Sequence, residues 1–176
     1  VLARFDQFLF SEDVKLGDVT DSFAQVALVG PDAAAVVGGM LEGVSSDALR
    51  ALPEHGNTRG HFEGQPAIVT AVTDTGEPGF DVYVERLQAD AFSARLLTLG
   101  VAPLNRETAE AIRLEAGVPL FGRDMDEETI PLEAGIESRA ISLTKGCYVG
   151  QEVIIRVLHR GHGSVARKLA GLVLEG

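Results

Sequence analysis

The sequence predicts an α+β fold, and three observations carry that expectation. Residues 66–73 form a β-branched run, Pro66-Ala67-Ile68-Val69-Thr70-Ala71-Val72-Thr73. The turn Thr75-Gly76-Glu77-Pro78-Gly79 follows, and an alternating run returns at 80–84, which is the pattern of a hairpin. Two helical stretches, 89–100 and 107–116, then stand back to back. No strictly repeating βαβ unit links these pieces, so layers of helix and antiparallel strand are expected.

In chain order, Leu2, Phe5, Phe8 and Leu9 fit a helical turn or two packed on something. Ser11-Glu12-Asp13 breaks that pattern, and Val14-Lys15-Leu16 with Asp18-Val19-Thr20 is short and extended in character. Residues 24–29 read as a buried strand stopped by Gly30. Pro31-Asp32 suits the first turn of a helix whose apolar face is Val36, Val37, Met40 and Leu41. Residues 47–52 make a short helix before Pro53, and 55–61 read as a loop rich in turn residues. His55 and His61 in that segment are read as loop residues, with no metal site assigned. The helix at 89–100 presents Phe92, Leu96 and Leu99 and stops at Gly100. The helix at 107–116 presents Ala109, Ile112 and Ala116 and ends at Gly117.

The chain has 176 residues, 45% hydrophobic and 23% charged, which is globular composition with enough apolar surface for a core. No apolar run is long enough to span a bilayer, and no signal-peptide pattern opens the sequence. A single cysteine excludes an internal disulfide, no Cys/His set has zinc spacing, and the default compartment is a reducing, cytoplasmic one. The net charge of −11 argues against a general nucleic-acid binder. Charge is unevenly spread: Asp124, Asp126, Glu127, Glu128, Glu133 and Glu137 are followed by a basic segment with Arg156, His159, Arg160, His162, Arg167 and Lys168. That segment is either a solvated face or a surface for an anionic ligand. Val1 and the strand-like Leu172-Val173-Leu174-Glu175-Gly176 read as ends lying inside a longer protein.

The densest chemistry lies in Lys145-Gly146-Cys147-Tyr148-Val149-Gly150-Gln151-Glu152. Glycines flank the only cysteine, a cation precedes it and a helix is expected to open near Gly150. A helix N-terminus and a nearby lysine are influences that favour a reactive thiolate. The same residues also describe a small cysteine packed beneath a helix. Upstream, Asp81 closes the turn sequence T-G-E-P-G-F-D, and Arg113 opens R-L-E-A-G-V-P-L-F-G.

These three motifs resemble the folate-binding proteins of the YgfZ family, which are related to the aminomethyltransferase (T-protein) of the glycine cleavage system. K-G-C-Y-V-G-Q-E, followed by His159-Arg160-Gly161, resembles the YgfZ signature, whereas the T-protein branch usually lacks this cysteine. The resemblance implies an aminomethyltransferase-like fold, seen here as an internal fragment without its N-terminal part and its C-terminal β-barrel. Residues 1–168 would form the folate-binding domain and 169–176 the start of that barrel. It implies tetrahydrofolate as cofactor, with Asp81 and Arg113 as folate contacts. Asp81 stands where the T-protein pattern has Glu, and a carboxylate there accepts hydrogen bonds from the amino and ring N–H groups of a pterin. Cys147 and Lys145 would be the functional thiol and the cation that tunes it, with Gln151 and Glu152 holding the loop beside the cofactor. The implied role is assembly or repair of iron–sulfur clusters together with client proteins or assembly factors. The family's link to tRNA modification is expected to involve no direct RNA contact, given the acidic balance. The alternative is a folate-dependent aminomethyltransferase, moving a one-carbon unit onto tetrahydrofolate.

Overall fold

The computed structural model describes residues 1–160 and 164–172; residues 161–163 and 173–176, with the side chain of Arg160, lie outside that description. His162 and the second half of the expected barrel start fall there, and residues 169–172 carry no regular secondary structure. The chain divides into two compact units, Val1–Leu104 and Asn105–Gly176.

The first unit opens with a short helix, α1 (Leu2–Asp6). Phe5 and Phe8 are exposed there, against the expectation that they pack. The unit is built on a four-stranded antiparallel sheet of β1 (Phe23–Val29), β2 (Asn57–Phe62), β3 (Gln65–Val72) and β4 (Gly79–Glu85), in the order β1-β4-β3-β2. Helices α2 (Ala33–Met40), α3 (Ser46–Arg50) and α4 (Ala89–Thr98) supply the rest of its core. Alternation along β4 puts Phe80, Val82 and Val84 on the buried face, beside Leu28 of β1 and Val69 and Ala67 of β3. Val37, Leu41, Leu49, Phe92 and Leu96 of the helical layer close on them. Phe92, fully buried, meets Phe62 edge to face with ring centroids 5.0 Å apart.

Three expectations change here. The segment at 55–61 is a strand from Asn57 onward, not a loop. Its polar composition is compatible with an edge position, and Gly60 lets a neighbour approach: an added Cβ would lie 2.5 Å from Val44 Cγ2 and 2.8 Å from the Glu42 carbonyl oxygen. Glu42 and His61 use that closeness to exchange backbone hydrogen bonds of 2.8 and 3.0 Å. β1, expected as a buried strand, is a sheet edge in which Leu28 alone is fully buried. Leu99 leaves the apolar face of its helix, because α4 ends at Thr98 and Gly100 turns the chain at φ +80°.

The second unit contains α5 (Arg106–Glu115), α6 (Glu137–Ala140) and α7 (Gln151–Arg160), and no strand among its described residues. Asn105 caps α5 by accepting from the Thr108 amide at 2.8 Å, and Gly117 ends it at φ +68°. Leu132, Ala134 and Ile154 are its buried apolar residues, and Arg113 and Glu133 its buried charged ones. Among the described residues no helix is long and apolar enough to cross a membrane.

Candidate functional site

Asp81 is carried by the hairpin of β3 and β4. Gly76 turns the connection at φ +81°, and Gly79 starts β4 where an added Cβ would lie 2.7 Å from the Leu28 carbonyl oxygen. The glycines of T-G-E-P-G are thus needed for the turn and for close packing against β1. Asp81 pairs with Ala27 on one side and Thr70 on the other, so it stands on a central strand, not on an edge. Its side chain belongs to the sheet face opposite the helices, is half-buried, and shares that face with Tyr83 two residues on. The Tyr83 phenol is pushed up from its ordinary value, first by burial and then by the negative charge of Asp81. A carboxylate held in this way offers several acceptor positions to a planar ligand with N–H groups.

Arg113 is placed by α5 with its guanidinium turned into its own unit. Nε and Nη2 donate to Glu110 at 3.0 and 2.6 Å, and Nη1 donates to Asp124 at 2.7 Å and to the Val118 carbonyl. Four of five N–H groups are therefore engaged, and the remaining donor is on Nη2. Glu110 also accepts from Arg123 at 2.6 Å. The Arg113 hydrogen bond, against some desolvation and with help from Arg123, holds the Glu110 carboxyl down at about 2. Asp124 lies below the usual carboxylate range because the Leu120 amide and Arg113 both donate to it. The R-L-E-A-G segment thereby folds the chain from 118 to 124 around one arginine.

In the cysteine motif the expected helix start is found, with Gly150 at φ +88° and α7 beginning at Gln151. Gln151 holds the loop from both directions: its Oε1 accepts from the Tyr148 amide and its own amide donates to the Tyr148 carbonyl, each at 3.3 Å. Ile154 anchors α7 by burial. Glu152 is exposed in the first turn of α7, where its charge suits the helix dipole, and makes no side-chain hydrogen bond among the described residues. Cys147 is a free, exposed thiol rather than one packed beneath the helix. The Lys145 ammonium lies over the Tyr148 ring, 5.0 Å from its centroid.

Of the basic segment, Arg156, His159 and Lys168 are exposed, while Arg167 pairs at 3.4 Å with the buried Glu133. Glu133 was missed in the sequence because it lay within an acidic run. No group of His, Cys, Asp and Glu among the described residues is arranged to hold a metal.

A sequence model of the GCVT N-terminal domain matches residues 1–145. The chain belongs to that family. The match includes Asp81, Arg113 and Lys145 and stops before Cys147. GCVT-family relatives include an aminomethyltransferase of Rubrobacter xylanophilus, 38% identical over 176 residues, with 99% of this chain and 45% of the relative covered. An aminomethyltransferase of Synechococcus sp. strain RCC307 is 32% identical over 174 residues, covering 99% of this chain and 46% of its own. One of Streptomyces avermitilis is 28% identical over 169 residues, covering 93% and 44%. This GCVT-family chain thus spans less than half the length of the curated relatives it matches, and its α+β architecture is the one expected. The kinship with the aminomethyltransferase (T-protein) family expected from the sequence is borne out.

Proposed function

We propose that the chain holds tetrahydrofolate for a folate-dependent transferase of the aminomethyltransferase type, with Asp81 as the pterin-binding carboxylate. The observation that carries this reading is the half-buried Asp81 on a central strand of a GCVT-family sheet, within reach of a ligand on the face that the helices leave free. Tetrahydrofolate, when bound, accepts a one-carbon unit at its nitrogens. The chain's own part is to fix the pterin: two parallel N–H···O bonds to one carboxylate set both the plane and the direction of the ring. Arg113 supports the second unit through Glu110 and Asp124, with one Nη2 donor left for a ligand. Calorimetric titration of the full-length protein with tetrahydrofolate, under reducing and anaerobic conditions, tests the proposal. Saturable binding that Asp81→Asn weakens tenfold or more, on the order of the loss of one charge-assisted contact, supports it. No binding to the unaltered protein would discard it.

A second reading is favoured by one observation, the exposed Cys147 within K-G-C-Y-V-G-Q-E. In it the protein is of YgfZ type, binds folate at the same place and uses the thiol in assembling or repairing iron–sulfur clusters on client proteins in the cytoplasm. One cysteine cannot hold a cluster alone, so the thiol would act together with ligands from a partner. Complementation of cells lacking the gene separates the two readings. Loss of iron–sulfur enzyme activity with Cys147→Ser, without aminomethyl transfer, supports this one; glycine-dependent transfer that tolerates Cys147→Ser supports the first.

A further inference from the structure

Arg86 engages four successive backbone carbonyls. It stands directly after β4, whose last residue, Glu85, pairs with Phe23 at the start of β1. The Arg86 amide donates to the Ser22 carbonyl at 2.9 Å, which carries the ladder one step past the strands. The side chain takes the carbonyls around it: Nε donates to Asp21 at 3.0 Å, and Nη2 to Thr20 at 3.2 Å and Phe23 at 3.5 Å. The carbonyls of residues 20–23 thus all accept from one residue. The strap leading into β1 is also held from its other end, where Asp18 Oδ1 accepts from the Thr20 amide at 3.0 Å and the Thr20 hydroxyl at 2.6 Å. Between these holds the chain turns, the Ser22 amide donating to the Val19 carbonyl at 2.9 Å. Residues 18–22 are all exposed, so hydrogen bonds rather than burial fix their course.

The consequence is felt on the sheet face that carries Asp81. Val19 and Thr20 of the strap, with Phe23, Gln25, Ile68 and Tyr83 of the sheet, surround an open hollow of about 550 Å³. Gln25 and Tyr83 face each other in the ladder, two residues along from Ala27 and Asp81, so the hollow adjoins the carboxylate. Its sheet side is set by strand pairing, but its strap side exists only while residues 19–22 keep this course. Arg86 is not part of the lining. We propose that Arg86 is a positioning residue for the ligand that Asp81 holds. The inference rests on the tetrahydrofolate reading of Asp81. With the clasp in place, the ligand meets a wall that is already ordered. Without it, Val19 and Thr20 have to be ordered as the ligand arrives, and that entropy is subtracted from the affinity. A guanidinium suits the task, because its planar fork spreads charged donors over separate carbonyls, whereas a lysine ammonium is a single point.

The test joins two measurements on the full-length protein: calorimetric titration with tetrahydrofolate at low and high salt, and amide hydrogen exchange at residues 19–23 with and without that ligand. Arg86→Ala should weaken tetrahydrofolate roughly tenfold, on the order of ordering one or two side chains on binding, and by the same factor at both salt concentrations. Exchange at residues 19–23 should quicken in the free variant and slow again once tetrahydrofolate is bound, a ligand-linked recovery that a purely structural role does not produce. Arg86→Lys should restore part of the affinity. Asp18→Ala, which loosens the other end of the strap and leaves Arg86 in place, should repeat the pattern more weakly and guards against a fault peculiar to one variant. Quickened exchange with unchanged affinity, or unchanged exchange in Arg86→Ala, would overturn the positioning role. So would a loss of affinity that disappears at high salt, since Arg86 would then act by its charge on the ligand. These failures leave the Asp81 reading standing. An affinity that Asp81→Asn does not alter, or no binding by the unaltered protein, overturns that reading and the role of Arg86 with it.

Discussion

Arg113 and Glu110 stand one helical turn apart on α5 and meet twice, Nη2 to Oε1 at 2.6 Å and Nε to Oε2 at 3.0 Å. Around that pair the chain from Val118 to Asp124 is tied back to the helix, through the Val118 carbonyl and the Asp124 carboxylate. A segment that contains an exposed Phe121 and few buried apolar residues is therefore ordered by charge-assisted hydrogen bonds.

The first prediction follows from the acid side of this network. Glu110 titrates near 4.5 in an unfolded chain and is held at about 2 in the folded one. Its contribution to stability is thus complete above about 4.5 and is lost as pH falls from there towards about 2. Urea midpoints measured across that window should drop more steeply for the native sequence than for Glu110→Gln, and the gap between the two should narrow on acidification. A gap that stays constant with pH would show that the carboxylate's charge is not what stabilises the segment.

Gly60 provides a second, steric test. Alanine there would place Cβ 2.5 Å from Val44 Cγ2 and 2.8 Å from the backbone oxygen of Glu42, which cannot turn away as a side-chain end can. Gly60→Ala should cost about 1–3 kcal/mol in urea unfolding, in the range of overpacked interiors. A neutral result would mean that the Glu42–His61 bridge can open without loss.

The core makes a third. Phe92 is fully buried against Phe62, so Phe92→Ala should cost about 3–5 kcal/mol. A double-mutant cycle with Phe62→Ala should return a coupling of about 1 kcal/mol from the edge-to-face contact. Additive losses would assign Phe92's contribution to burial alone.

Much of the first unit was legible because its elements follow their own periodicity. The β-branched run of β3, the T-G-E-P-G turn and the alternating β4 each point to a strand before any partner is known. β2 was not legible: Asn57, Thr58, Arg59, Gly60 and His61 have turn-like or polar composition, and pairing with β3 is what makes them a strand. Strand order, and hence the central position of Asp81, is likewise set by contacts far apart in sequence. The cysteine motif pointed correctly to a helix start after Gly150, but the contact of Lys145 with Tyr148 depends on a loop conformation that spacing does not encode. The partners of Arg113 were half visible: Glu110 lies at helical spacing, whereas Asp124 arrives by a loop.

The β2–β3 turn makes a last prediction, this time of a gain. Glu63 and Gly64 both have positive φ, 49° and 77°, which is what a two-residue turn of the type I′ class requires. Gly64 meets that demand freely, but a glutamate in the left-handed region carries a steric cost. Both residues are exposed, and open space surrounds the Gly64 Cβ position, so backbone preference decides the outcome there. Glu63→Asn gives the favoured Asn-Gly pair and should raise stability by about 0.5–1 kcal/mol, whereas Gly64→Ala should lower it by about 1 kcal/mol. Opposite signs for the two variants in thermal unfolding would tie the effect to the turn. A loss in both would mean that Glu63 is held by contacts of its side chain, and that the strain at its backbone is offset there.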